Sequence, residues 1–405
     1  MLNRDLYLAI WKDLANTQSM VFLSGPRQSG KTTLSKQIAA QFSNSIYFNW
    51  DLVTNKKKLI EQPTFFEDIQ RKDNTPPLVI FDEIHKYRKW KNYLKGVYDQ
   101  FSDRYRFLVL GSGRLNIFQK GGDSLAGRYF HFNLWPLTLA ELTDRRLPFK
   151  EFSKNPLQFI KEDSKTEKIW KQLFLLSGYP EPYLSNDETI YRRWSTNYRQ
   201  QLIREDIRNM TEIKSIDEIE ILFSLLPSRV GSPLSLTSLA RDLQISPTTV
   251  HKWVKTFESF YLAFLIKPWT KKISRAITKE RKLYLFDYAD IPSEAARFEN
   301  MVALELLRAT SNWNDLGLGD FNLHYLRNKE KEEADFMISN KNQPFLLVET
   351  KLSDAQISKS LFKFQSALNV PAVQLIHQSG TCKLVSNDKR QILVSSASRW
   401  LPLLP

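Results

Sequence analysis

The residues best suited to chemistry come early. Gly25-Pro26-Arg27-Gln28-Ser29-Gly30-Lys31-Thr32, followed by Thr33, sets two glycines around a short loop and ends it on a lysine and a hydroxyl. The glycines allow backbone angles that side chains forbid. Loop amides and a helix N-terminus can then converge on phosphate oxygens. Lys31 would reach the β- and γ-phosphates, and the Thr32 hydroxyl would ligate Mg²⁺. The reading needs a strand before the loop and a helix after it. Met20–Ser24 reads as that strand and Lys31–Gln41 as that helix. A chance glycine turn is the bland alternative, and it does not account for all eight positions in this setting. Residues Gly25 to Thr33 are therefore expected to bind ATP.

A second constellation follows in Leu78-Val79-Ile80-Phe81-Asp82-Glu83. Four apolar residues predict a buried strand, with Asp82 emerging at its C-terminal end, where open α/β sheets bind ligands. Asp82 would hold Mg²⁺, directly or through water, and Glu83 would polarise the attacking water as general base. A third strand, Arg106–Gly111, runs into Ser112, a candidate γ-phosphate sensor or a simple turn residue. Arg128, in Ser124-Leu125-Ala126-Gly127-Arg128, could project into a neighbouring subunit's nucleotide and stabilise transferring charge. Alternatively it pairs with a carboxylate of its own chain.

The elements that must position these groups are legible as a pattern. Apolar runs at Met20–Ser24, Ser45–Trp50, Leu78–Asp82, Arg106–Gly111 and Tyr129–Leu134 alternate with helical stretches. That alternation argues for a mostly parallel sheet covered on both faces. Residues 1–145 thus read as an α/β ATPase core, and 146–228 as an amphipathic helical lid. Arg192, Arg193, Arg199 and Arg204 are equally placed there as a second sensor.

Residues 229–292 carry a different signal. Ser235 caps a helix Leu236–Leu243, and Ser246 caps a second with Pro247 in its first position. Val250, Trp253, Val254 and Phe257 form one apolar stripe, leaving Thr248, Thr249, His251, Lys252 and Lys255 on the other face. This is a helix-turn-helix pattern, and the runs Ala263–Trp269 and Arg281–Asp287 could pair as a wing. From Arg241 to Lys282 there are ten Lys/Arg against three acidic residues, a surface suited to DNA phosphates. Few of these side chains suit bidentate base reading, so shape or backbone recognition is expected. A protein-binding winged helix is the alternative.

In residues 293–405 the α/β pattern returns. Glu299 lies on a predicted helix Phe298–Leu307, Asp335 opens an apolar strand, and Glu349 and Lys351 sit two apart on Phe345–Lys351, hence on one face. A helix Asp354–Leu368 follows. The set Glu299, Asp335, Glu349 and Lys351 is similar to the PD-(D/E)xK nuclease constellation, in which carboxylates hold Mg²⁺ beside a scissile phosphate and the lysine positions water. Such a core also serves as a binding scaffold that does not cut, and both readings stay open at this point.

Taken in order, GPRQSGKTT, VIFDEIHK, GSGRLN, SLAGRYFHFNLWPLTLAEL, SGYPEPYL, the Thr249–Tyr261 region, KLYLFD, FENMVALELL, EADF and VETK resemble the prokaryotic AAA+-type P-loop ATPases that carry a C-terminal domain of unknown function. The resemblance covers nearly the whole chain. Its specificity lies in the order of the later motifs, since the first two are widely shared. One departure is VETK, where the family more often has EVK. The resemblance implies ATP hydrolysis more firmly than any cellular task.

Composition bounds the rest. The chain has 405 residues, 42% of them hydrophobic, enough for two to three domains with sizeable cores. Its net charge of +14 favours a polyanionic partner. Cys382 is the only cysteine, so neither an intramolecular disulfide nor a cysteine zinc site is expected, and a reducing cytoplasm is the default compartment. No run of about 18 apolar residues predicts a membrane span, and the first residues do not read as a secretion signal. The expectation is an ATP-hydrolysing, DNA-binding motor for duplex or branched DNA in recombination, repair or replication. It would work as a homo-oligomer, a hexamer among the sizes allowed. An ATP-dependent nuclease and a nucleotide-dependent switch in a regulatory or defence complex are the alternatives.

Overall fold

The five apolar runs of the first third become five parallel strands: β1 (Met20–Ser24), β2 (Ser45–Asn49), β3 (Leu78–Asp82), β4 (Arg106–Leu110) and β5 (Phe130–Asn133). They order as β2-β3-β4-β1-β5. The computed structural model describes residues 2–111, 125–208, 215–270, 280–353, 356–387 and 390–405. These divide into two compact units, one of residues 1–135 with 259–261 and one of the remainder. The fold is mixed α/β, with a helical stretch between its two sheets.

In the first unit, β1 and β3 are buried at every position, as an apolar run in a central parallel strand requires. The expectation of a sheet covered on both faces fails at its edges. Tyr47 on β2 and Phe130 on β5 are exposed, because edge strands have a neighbour on one side only. Four helices accompany the sheet: α1 (Asp5–Thr17), α2 (Lys31–Ala39), α3 (Val53–Glu61) and α4 (Trp90–Phe101). Helix α4 buries Trp90, Leu94, Val97 and Phe101, one stripe at helical spacing. That stripe packs into a phenylalanine-rich core with Phe22, Phe48, Phe66, Phe81 and Phe107. Each such side chain contributes about 1.5–3 kcal/mol on burial, so the sheet that carries the phosphate loop is fixed by packing.

The second unit begins with helices α5 (Leu139–Thr143), α6 (Phe149–Lys154), α7 (Ser164–Leu176), α8 (Pro180–Ser185), α9 (Glu188–Gln200) and α10 (Ile216–Leu225). Asp163 and Asp187 cap α7 and α9 by accepting backbone N–H bonds. Next come α11 (Leu236–Asp242) and α12 (Pro247–Ser259), then the antiparallel hairpin of β6 (Ala263–Pro268) and β7 (Lys282–Leu285). Helix α13 (Glu294–Asp315) precedes β8 (Phe321–Arg327), β9 (Glu333–Asn340) and β10 (Gln343–Lys351). Helix α14 (Lys359–Leu368) precedes β11 (Ala372–Ile376), β12 (Cys382–Asn387) and β13 (Arg390–Ser396). The hairpin does not stand alone. Lys267 and Pro268 of β6 pair in parallel with β8, giving one sheet ordered β12-β13-β11-β10-β9-β8-β6-β7. Helix α14 starts at Lys359, capped by Ser358, rather than at residue 354.

Helix α13 is buried on most of its circumference, polar residues included. Glu305 accepts the Leu139 amide at 2.5 Å, at the start of α5. Burial, against the pull of Arg308 and the helix amides, pushes its carboxyl up to about 7. An acid whose folded value lies above its unfolded value loses stability as pH rises between the two. Unfolding free energy should therefore fall by on the order of 3 kcal/mol from pH 4.5 to pH 7 through this group alone. Glu305→Gln keeps the acceptor and removes the charge, so urea unfolding across that window should show the slope flattened. An unchanged slope would assign the pH dependence elsewhere.

Candidate nucleotide site and a buried acid–lysine cluster

The phosphate loop leaves β1 at Ser24 and enters α2 at Lys31, as its motif requires. Gly25 has φ 151° and Gly30 has φ 97°. A Cβ on Gly25 would lie 2.2 Å from the Leu134 carbonyl oxygen, so only glycine lets the loop pass that backbone. Lys31 folds over its own loop, donating to the Gly25 and Pro26 carbonyls at 2.9 and 2.6 Å. Burial brings its pKa down to about 8, although Glu83 and Asp82 pull the other way. The Ser29 hydroxyl is buried and has no hydrogen-bond partner among the described residues. An orphaned donor inside a glycine-rich loop fits a phosphate oxygen. Gln28 and Thr32 are exposed, Arg27 and Thr33 half-buried.

The Thr32 hydroxyl donates to the Asp82 carboxylate at 3.2 Å, which brings together the two residues expected at the metal. Burial raises the Asp82 carboxyl above its usual range, and the neighbouring Glu83 adds to this. A confined carboxylate facing a hydroxyl, with its charge incompletely offset, suits a Mg²⁺ ion, which would be held by Thr32 and Asp82. Glu83 follows in the left-handed region at φ 56°, an uncommon conformation for a non-glycine residue and one that clusters at functional sites. Its carboxylate lies 3.2 Å from the Lys86 ammonium and 3.5 Å from the His85 ring. Lys86 also reaches Asp51 at 2.6 Å. Arg128 pairs within its own chain, holding Asp99 through two nitrogens at 2.6 and 3.3 Å. Ser112 lies outside the described residues.

Two supports of this site are silent in the sequence. Tyr47, on the neighbouring strand β2, donates its phenol to the Asp82 carboxylate. Burial, then this bond, holds the phenol protonated well above the usual tyrosine range. Only the β2–β3 pairing brings the two together, and residue spacing carries no trace of it. Arg4 is 3% exposed and donates to the Ser29 carbonyl at 2.8 Å and the Trp135 carbonyl at 2.7 Å. It braces the loop from outside the motif.

In the second unit, Val250, Trp253, Val254 and Phe257 of α12 are buried. Thr248, His251, Lys252 and Lys255 are exposed, and Thr249 is half-buried, its amide accepted by the Ser246 cap at 3.1 Å. Helices α11 and α12 are joined by a short turn and followed by the β6–β7 hairpin. One residue of the basic stretch does not belong to any outer surface. Lys282 is 1% exposed, because its ammonium is drawn in by Glu333 at 2.5 Å, Glu299 at 3.1 Å and Asp335 at 3.9 Å. Burial opposes the charge, but these carboxylates hold the ammonium above the usual lysine range.

The structure also brings together Glu299, Asp335, Glu349 and Lys351. Lys351 donates to Glu349 at 2.8 Å, so both do share a face of β10. Glu349 accepts the Asp335 amide at 3.3 Å. Lys282, Tyr284 and Glu333 are further members of this cluster that the motif did not include; Tyr284 donates to Glu299 at 2.7 Å. In the sequence Lys282 read as part of a basic run, and nothing local marked it as buried.

Parts of the chain are similar to known proteins. Residues 17–143 match the family model of an AAA domain. Residues 167–289 and 295–396 match two domains of unknown function, DUF8612 and DUF4143. An uncharacterized protein of Methanocaldococcus jannaschii is 23% identical over 419 residues, spanning 99% of this chain and 90% of its own. One of Mycobacterium tuberculosis is 20% identical over 350 residues, spanning 84% and 72%. Among solved structures, a Walker-type ATPase of Pyrococcus abyssi is 14% identical, with a TM-score of 0.44, over 71% of this chain and 94% of that one. The chain carries a P-loop ATPase domain of the AAA type, followed by C-terminal domains of unknown function.

Proposed function

We propose that the protein is a Mg²⁺-dependent ATP-hydrolysing motor that binds and remodels duplex or branched DNA, in recombination, repair or replication. One observation carries the hydrolytic part. Lys31, Thr32, Asp82 and Glu83 converge at the C-terminal ends of β1 and β3, a phosphate-binding loop beside a metal-ligating and a general-base carboxylate. Thr32 and Asp82 would hold Mg²⁺, which would supply positive charge against the charge developing in phosphoryl transfer. This chain's own groups would do the rest. Loop amides and Lys31 orient the phosphates, and Glu83 takes a proton from the attacking water. Ser112 would sense the γ-phosphate, and Arg128, on leaving Asp99, would reach the nucleotide of a neighbouring copy in a homo-oligomer.

The exposed Thr248, His251, Lys252 and Lys255 of α12 and the net charge of +14 favour DNA as the partner. The test is ATP turnover at saturating duplex, forked and four-way DNA, with Lys31→Ala as control. Turnover should rise at least severalfold with one of these structures, fall back as salt is raised, and vanish in the control. A rate that none of the three DNAs changes removes the motor reading. The protein would then be a nucleotide-dependent switch in a regulatory or defence complex, recovered with a protein partner and no nucleic acid.

A further inference from the structure

The C-terminal cluster has the residue types of a metal-dependent nuclease, so each carboxylate oxygen can be asked what it already holds. Asp335 Oδ2 accepts the Thr350 amide at 2.9 Å and the Thr350 hydroxyl at 2.6 Å. Asp335 Oδ1 faces the Lys282 ammonium at 3.9 Å. Glu349 Oε2 accepts the Asp335 amide, and Oε1 accepts Lys351. Glu299 Oε1 accepts both Lys282 and Tyr284. Glu333 Oε1 accepts Lys282 and Oε2 lies 3.7 Å from Arg327. Mg²⁺ demands near-octahedral oxygen ligands at about 2.0–2.1 Å. These oxygens are instead turned onto hydrogen-bond donors and ammonium groups. Among the described residues no group of three or more His, Cys, Asp or Glu side chains is arranged to hold a metal ion.

The approach to Lys282 is covered as well. The segment before α11 crosses over β7. The Gly231 amide donates to the Leu283 carbonyl at 3.3 Å, and the Leu234 amide to the Arg281 carbonyl at 2.8 Å. Pro233 bridges Lys282. A Cβ on Gly231, which has φ +74°, would lie 2.8 Å from Glu299 Oε2, so that oxygen is roofed by backbone. The Tyr325 ring centroid lies 5.5 Å from the ammonium. The residues present therefore do not fit a bound divalent cation as they stand.

We propose that this acidic site is a cation site filled from within: the Lys282 ammonium, brought in by β7, pairs with Glu299, Glu333 and Asp335 in place of a metal ion, and the module therefore does not cut nucleic acid. The lysine is at the same time a staple. It ties the hairpin that follows α12 to α13 and β9. This inference does not rest on the ATPase reading, because it concerns a different site.

The test uses the full chain carrying Asp82→Ala, so that metal at the nucleotide site does not report. Mn²⁺ is the probe, followed by its electron paramagnetic resonance and by thermal unfolding with and without the ion. Cleavage of duplex and four-way DNA in Mn²⁺ is scored alongside. This chain should neither bind Mn²⁺ tightly, nor melt higher in it, nor cut DNA. Adding Lys282→Met vacates the cluster, and Mn²⁺ should then bind at least tenfold tighter, raising the melting temperature; a further Asp335→Ala should cancel the gain. Lys282→Gln serves where the methionine variant does not fold. A variant that folds and gains no Mn²⁺ affinity overturns the internal-cation assignment. Tight Mn²⁺ binding or DNA cleavage with Lys282 in place, lost on Asp335→Ala, overturns it too, and that arm needs no lysine variant to fold.

Discussion

A Glu83→Gln chain should bind ATP with nearly unchanged affinity and hydrolyse it about 10²–10⁴ times more slowly. The separation of binding from turnover follows from where the side chain sits. Affinity is expected from the loop amides, Lys31 and the Thr32–Asp82 pair, and the bonds of Lys31 and Thr32 do not involve Glu83. Glutamine keeps the length of the side chain and the left-handed turn at φ 56°, but it cannot take a proton. The present partners of Glu83 are Lys86 and His85. Losing the charge weakens the Lys86 contact, and Asp51 still holds that lysine at 2.6 Å, so the local structure should survive. Nucleotide binding by equilibrium titration and hydrolysis under single-turnover conditions read the two effects separately. A chain that hydrolyses at the original rate would move the base away from Glu83. A chain that no longer binds ATP would make Glu83 a structural residue.

What the sequence could reveal about this site divides by distance along the chain. The loop from Gly25 to Thr32 is one continuous segment, and Asp82 and Glu83 follow a run of apolar residues that could only be a buried strand. Their chemistry and their setting are written in the same ten or so letters, and the five-stranded parallel sheet follows from repeating that pattern. Tyr47 and Arg4 act through contacts 35 and 25 residues away. Each is an ordinary letter in its own neighbourhood, and only strand order or the path of the N-terminal segment makes it part of the site. Lys282 goes further and reverses its reading. Counted in a basic stretch, it strengthened the case for a DNA-binding surface. Folded, it is neutralised by carboxylates from α13 and β9 and contributes nothing to that surface. Charge counts record type and not depth. The hairpin shows the same limit, since its pairing is legible but its continuation into the sheet through β8 depends on residues 57 positions later.

Gly25→Ala should abolish measurable nucleotide binding, lowering affinity at least a hundredfold, and should also lower the unfolding temperature of the chain. The added methyl would sit 2.2 Å from the Leu134 carbonyl oxygen and 3.1 Å from its carbon, well inside contact distance. No side chain can swing away to relieve this, because the atoms it would meet are all backbone atoms of Leu134. Nor can Leu134 withdraw freely, since its amide donates to the Ser24 carbonyl at 2.8 Å, continuing the pairing of β5 with β1. The loop must therefore move, and a loop displaced by about an ångström no longer aims its amides at one phosphate. Overpacking of this kind costs about 1–3 kcal/mol, and at φ 151° a side chain adds backbone strain of a similar order. Gly96→Ala is the contrast: it lies in α4, where a Cβ meets nothing within 4 Å. That change should leave ATP binding untouched and stabilise the chain by up to about 1 kcal/mol, the helix propensity difference between the two residues. If Gly25→Ala binds ATP as Gly96→Ala does, the loop has room that the Leu134 contact denies, and the geometry assigned to the phosphate site is wrong.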